Sequence, residues 1–94
     1  MSDLLEFDWD EENLRHIERH AVTSPEVEHV LTHRTLDLGF QDWHDEERYA
    51  EVGATALGRI LAVVTTWRGS RIRVVTAYDA SNAEAEKYFR MMVS

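Results

Sequence analysis

"RILAVVTTWRGSRIRVVTAY", residues 59–78, decides the fold. Both halves are rich in β-branched residues, and "RGS" (68–70) between them is a tight-turn signal. The stretch reads as an antiparallel hairpin of "RILAVVTTW" (59–67) and "RIRVVTAY" (71–78). Upstream, Leu36, Leu38 and Phe40 alternate with polar or small residues, as in a half-buried strand. "RYAEVGA" (48–54) reads as another strand, with "QDWHDEE" (41–47) as a polar loop before it and "LG" (57–58) in the turn after it. Consecutive strands with short connections predict an antiparallel meander.

Around this sheet the period changes to that of helices. Asp8 or Asp10 can cap a helix in which Leu14, Ile17 and Ala21 recur as an apolar stripe, ending near His20–Ala21. "TSPE" (23–26) restarts a helix, with Ser24 as cap and Pro25 at the first helical position, running to about residue 32 on Val27, Val30 and Leu31. "SNAE" (81–84) has the capping-box pattern and opens a last helix with Ala85, Tyr88, Phe89 and Met92 facing inward. "LEFDW" (5–9) alternates as a short first strand would. The expectation is one α+β domain over residues 1–94: two N-terminal helices packed on an antiparallel sheet of about four strands, with a C-terminal helix, the helices sharing one face.

Composition narrows the function. The chain is 44% hydrophobic and 30% charged, with one proline, which marks a folded protein. No apolar run approaches the roughly 20 residues of a membrane span, and "MSDLLEFDWD" lacks the basic and apolar regions of a signal peptide, so a cytoplasmic location is expected. With no cysteine there is neither a disulfide framework nor a thiolate metal site. The net charge of −8 is uneven: the first fifty residues hold fourteen of the eighteen acids and four of the ten bases. Such a chain repels nucleic acid at long range and suits a basic protein partner.

"HIERH" (16–20) and "HVLTH" (29–33) each place two histidines four apart. A zinc protease needs the glutamate directly after the first histidine, whereas Glu18 sits in the middle. A closed metal site would need further Asp, Glu or His ligands, so no metal and no cofactor is expected. At about 100° per residue, His16 and His20 project roughly 130° and 90° from the apolar centre of the first helix. With Asn13 they form one polar stripe beside the core, His20 on its half-buried flank. His29 and His33 lie on the polar side of the second helix. On the hairpin, alternation groups Arg71, Arg73, Val75 and Ala77 on one face and Ile72, Val74, Thr76 and Tyr78 on the other, with Arg68 and Arg59 near the first group. Such guanidiniums suit a phosphate or carboxylate ligand, or simply pair with the abundant acids.

The ordered set "W-D-x-x-N" (9–13), "R-H-x-V" (19–22), "G-R-x-L" (58–61) and "R-G-x-x-I-R-V-V-T-A" (68–77) resembles the BrnT-type toxins of type II toxin–antitoxin modules, over about residues 7–89. The resemblance implies a RelE-like fold, a metal-independent ribonuclease activity that halts translation, and a basic, DNA-binding antitoxin that masks the toxin. It carries a catalytic role to His20, Arg59 and Arg73, with Arg71, Arg68, Tyr78, Asn13 and His16 as candidate RNA contacts. The chain departs from the family where "SAR" or "TAR" and a strongly basic helix are usual. Here "TAYDASNAEAEKYF" puts Tyr78 in the arginine position and alanine or glutamate in the helix, and Ala21 replaces the glycine of "HGV". Two function classes follow: a ribonuclease toxin with RNA as substrate, or a non-catalytic binding module that keeps the fold and partner surface. A metal-dependent protein would be a third, resting on histidine spacing alone. Self-association is compatible with any of them.

Overall fold

The computed structural model describes residues 5–94. Its elements run α1 (Glu11–Glu18), α2 (Ser24–Leu31), β1 (Leu36–Trp43), β2 (Glu46–Ala54), β3 (Ile60–Arg68), β4 (Arg71–Asp79) and α3 (Asn82–Val93). The strands form one antiparallel sheet in the order β1-β2-β3-β4, so the α+β class and the meander are as the sequence implies. Each helix opens with a reciprocal cap: Asp10 with Asn13, Thr23 with Glu26, and Ser81 with Glu84. Thr23, not Ser24, takes the cap of α2, because its hydroxyl lies three residues before the glutamate that returns the bond.

The stretch 41–47, expected as a loop, is the end of a hairpin. Gln41, Asp42 and Trp43 pair with Arg48, Glu47 and Glu46, and only His44 and Asp45 turn. Both have positive φ, 50° and 65°, the left-handed pair that a two-residue type I′ turn requires. Neither face of this tip is deeply buried, so the hydrophobic alternation that marks a strand is missing from it. The expected strand at 5–9 is reduced to a single parallel bridge, Phe7 to Ile72, beside the outer edge of β4.

The sheet is covered on both faces, not one. Leu61, Val63, Val74 and Ala77 pack with Ile17 of α1, Val22 of the following turn, and Val27 and Val30 of α2. Ala62 alternates with Leu61 and Val63, so its cluster with Val52 and Tyr88 lies on the opposite face, under α3. The inward line of α3 is Tyr88 and Met91. Phe89 (54% exposed) and Met92 (42%) point outward, because packing by Tyr88 sets the rotation of the helix. α3 packs chiefly on β1 and β2, and the same face stays open toward the other end of the sheet.

One irregularity sets which side chains reach that open face. β3 and β4 are in register from Leu61↔Asp79 to Val64↔Thr76, then Thr65 pairs with Val74, leaving Val75 as a β-bulge. Strict alternation would separate Val74 from Ala77; the extra residue puts both in the core under α1 and α2. It likewise puts Arg73, Thr76 and Tyr78, opposite Thr66, Val64 and Ala62, on one face, correcting the grouping that alternation implied.

Helix α2 and the loop after it press closely on the sheet at Gly53 of β2. A Cβ there would lie 2.9 Å from Val30 Cγ1 and 3.0 Å from Thr35 Cγ2. Gly53→Ala should therefore cost about 1–3 kcal/mol in urea unfolding, and the penalty should shrink in a Val30→Ala background. Equal penalties in the two backgrounds would show that this contact is not what excludes a side chain.

Candidate functional site

Two arginines pin α1 to the sheet. At its start, Arg73 donates from Nη1 to Asp10 Oδ2 at 2.8 Å and from Nη2 to Glu12 Oε1 at 3.4 Å. Asp10 is also the helix cap, accepting the Asn13 amide at 3.0 Å. The Arg73 guanidinium and then the Asn13 amide hold its carboxyl below the ordinary aspartate range. Asn13 is buried, its amide group accepting from Asp10 N at 2.8 Å and donating to Asp8 O at 3.0 Å.

The far end of α1 closes with Val22 N–H donating to Ile17 C=O at 3.1 Å and Ala21 N–H to Glu18 C=O at 2.9 Å, the Schellman pattern. That pattern needs a left-handed residue, and Ala21 sits there with φ 58°. Arg59 then satisfies the exposed carbonyls: Nη1 donates to Ala21 O at 2.6 Å and Nη2 to His20 O at 3.1 Å. Its Nε donates to Asp79 at 2.7 Å, and Glu26 lies 3.6 Å away. The Arg59 hydrogen bond lowers the Asp79 carboxyl, and Asp79 in turn raises the guanidinium.

Burial of Asn13 with Ile17 moves the inner line of α1 away from Leu14, which is 40% exposed. The two histidines exchange their expected settings: His16 is half-buried at the sheet edge and His20 is exposed. Their ring centroids are 6.3 Å apart, and the His20 ring lies 6.0 Å from that of Tyr78.

His16 lines an open cleft of about 340 Å³ with Asn13 and Glu12 of α1, Glu46 and Arg48 of β2, Thr66 and Arg68 of β3, and Arg73 of β4. Three guanidiniums thus converge beside an imidazole. Arg48 is paired with Glu46 at 3.0 Å and Arg73 with Asp10 and Glu12, whereas Arg68 has no ion-pair partner among the described residues. Guanidiniums bind the oxygens of a phosphate or a carboxylate two at a time, and an imidazole beside them can move a proton. A second hollow, of about 400 Å³, adjoins it, sharing Arg48 and Val75 and lined further by Phe40, Trp43, Tyr49 and Tyr78.

Of the residues chosen from sequence, Asn13, His16, Arg68 and Arg73 meet in the cleft and Tyr78 lines the adjoining hollow. His20 stands beside Tyr78. Arg59 belongs to the clamp at the end of α1, and Arg71 lies outside, 3.9 Å from Glu6. Arg48, Glu46, Glu12 and Trp43 were missed. The signal for Arg48 was the strand alternation through Ala50 and Val52, obscured when 41–47 is taken as a loop. His29 and His33 stack at 3.9 Å on α2, with His33 Nδ1 bonded to the His29 carbonyl. Among the described residues, no group of three or more His, Asp or Glu is placed to hold a metal ion.

The clamp makes two expectations. Asp10 and Asp79 have folded values below their ordinary ones, so their stabilisation is complete at neutral pH and fades below about pH 4 as protons displace the arginines. Asp79→Asn should flatten that acid limb, and Arg59→Lys, which keeps the charge but loses the fork, should lower stability by about 1–2 kcal/mol. An Arg59→Lys protein as stable as wild type would remove the clamp. Ala21→Gly should raise stability by about 0.5–1 kcal/mol, left-handed strain relieved less the entropy of glycine; a fall in the urea midpoint would contradict it.

The family model described as "Ribonuclease toxin, BrnT, of type II toxin-antitoxin system" matches residues 9–84. The matched span takes in α1, α2, the whole sheet and every residue of the cleft. No curated protein matches the chain. With that span, 76 of the 94 residues, the chain belongs to the BrnT family of ribonuclease toxins of type II toxin–antitoxin systems.

Proposed function

We propose that this protein is a metal-independent endoribonuclease whose active site is the cleft between α1 and the open end of the sheet. The observation that carries the reading is the convergence of Arg48, Arg68 and Arg73 around His16, with His20 one helical turn on. One imidazole, neutral, takes the proton of an RNA 2′-hydroxyl as its oxygen attacks the adjacent phosphorus. The phosphorus–O5′ bond breaks, and the second imidazole, protonated, gives its proton to the departing 5′-oxygen. The products are a 2′,3′-cyclic phosphate and a 5′-hydroxyl. The guanidiniums neutralise the charge that grows on the phosphorane oxygens. Among the described residues Arg68 has no carboxylate to leave, while Arg48 and Arg73 must exchange theirs for phosphate. Arg59 positions α1 and, through its carbonyls, His20.

In this reading the protein acts in the cytoplasm, where RNA cleavage halts translation until a basic, DNA-binding antitoxin covers the acidic surface. A RelE-like description of the helix–helix–meander–helix order agrees with this. The alternative, a binding module without catalysis, is favoured by one feature: two of the three cleft guanidiniums are already ion-paired.

Induced alone in cells, the chain should arrest growth and translation, and the purified protein should cleave single-stranded RNA in the presence of a chelator. His16→Ala and His20→Ala should each lower the rate about 100-fold or more, and the wild-type rate should be bell-shaped in pH. Normal growth together with intact RNA would leave only the binding module. Loss of activity on chelation would end the metal-independent mechanism.

A further inference from the structure

The hollow beside the cleft has features that the phosphodiester chemistry does not use. We propose that it is a nucleobase subsite, taking one unpaired base of a single-stranded RNA whose phosphate lies in the cleft; the assignment rests on the ribonuclease reading of that cleft. Its volume, about 400 Å³, is within the range of small-ligand pockets. Its wall carries the Tyr78 ring, and at its rim stands the Trp43 indole, 48% exposed. The Arg48 guanidinium lies 5.6 Å from the centroid of the Trp43 indole.

A hydrogen-bonding atom is also waiting there. Thr76, on the floor, has a buried Oγ1 with no partner among the described residues. Such an atom is costly unless something supplies the bond, and the edge of a base offers both donors and acceptors. Continuity decides between a base and an apolar side chain of a protein partner. Arg48 lines both hollow and cleft, so one guanidinium can reach a phosphate while its neighbouring indole stacks on the base attached to it. An apolar side chain would leave Arg68, which has no ion-pair partner among the described residues, unanswered in the adjoining cleft.

Charge points the same way. A chain of net charge −8 gains little from long-range attraction to RNA. Stacking is a contact that needs no such field, and it is how single strands are held without reading a duplex.

The test uses the full chain and 2′-O-methyl hexanucleotides of A, C and U, which lack the attacking hydroxyl and so bind without being cut. Binding should quench tryptophan fluorescence, and Trp43→Phe should change that signal. Trp43→Ala should weaken binding roughly tenfold with no change in salt dependence, whereas Arg68→Ala should reduce the salt slope by about one. Thr76→Val should narrow the preference among the three bases without lowering Tm. Equal affinity of wild type and Trp43→Ala overturns the subsite, as does failure of the wild type to bind any of the hexamers. If Trp43→Ala weakens a cognate antitoxin instead and spares the hexamers, the occupant is protein and the proposal falls. The two readings separate cleanly. Trp43-dependent binding with no RNA cleavage keeps the subsite and removes the nuclease; cleavage indifferent to Trp43 does the reverse.

Discussion

The extra residue in β4 governs what each face of this protein can be. Because strand side chains alternate, one unpaired residue inverts everything beyond it. Val75 is that residue: on one side of it the core receives Val74, and on the other it receives Ala77. The same inversion lines up Arg73, Thr76 and Tyr78 on the face that α3 leaves open. Without the bulge, a chain that buried Val74 would have to send Ala77 outward and turn Tyr78 into the core beneath α1 and α2. A hydrophobic core and a row of site residues therefore depend on one local break in the ladder.

α1 is the second part of the site, and it is too short to hold itself in place. Eight residues are below the length at which an isolated helix is stable. Its position comes from one arginine at each end, Arg73 through the capping carboxylate and Arg59 through the terminal carbonyls. The two do different work in the same way: each lets a guanidinium fork satisfy groups that the helix leaves open. Of the two, Arg73 alone also lines the cleft, so it ties the placing of His16 to the anion-binding role proposed there. Arg59 spends its donors on the backbone and two carboxylates, which suits a positioning residue.

Much of this was legible in the sequence, for reasons that differ from element to element. β3 and β4 announce themselves because both are dense in β-branched residues, with Val63 and Val74 among those that reach the core. The caps of α1 and α3 are readable because capping is a contact between residues three apart. The tip of the first hairpin is hidden because every residue from 41 to 48 but Trp43 is polar, and His44–Asp45 is not the Asn-Gly that usually marks such a turn. The exchange of His16 for His20 in the half-buried position could not be read from apolar spacing. Asn13 is buried by local hydrogen bonds while Leu14 is left at the surface, so hydrophobicity points to the wrong line of the helix. The bulge has no signature at all in "RIRVVTAY", where every residue suits a strand equally well.

The acids are where sequence, charge and site come together. Asp10, Glu12 and Glu46 hold the guanidiniums of Arg73 and Arg48 in place before any ligand arrives. That arrangement spares the protein a cluster of uncompensated cations, which would repel one another and loosen the edge of the sheet. A phosphate bound as proposed would not fall into an empty positive well; it would replace carboxylates that already fit. The net electrostatic gain from such an exchange is small, because one anion is traded for another around the same cations. Phosphate contacts alone carry no information about sequence, and here they carry reduced affinity as well. In the proposed reading a strand makes up the difference through contacts that are not Coulombic, and the Trp43 indole beside Arg48 offers one. A surface with the opposite balance, many free cations and few rings, would hold any RNA at all. If the cleft is the RNA site proposed above, the acidic surround makes binding depend on what is attached to the phosphate.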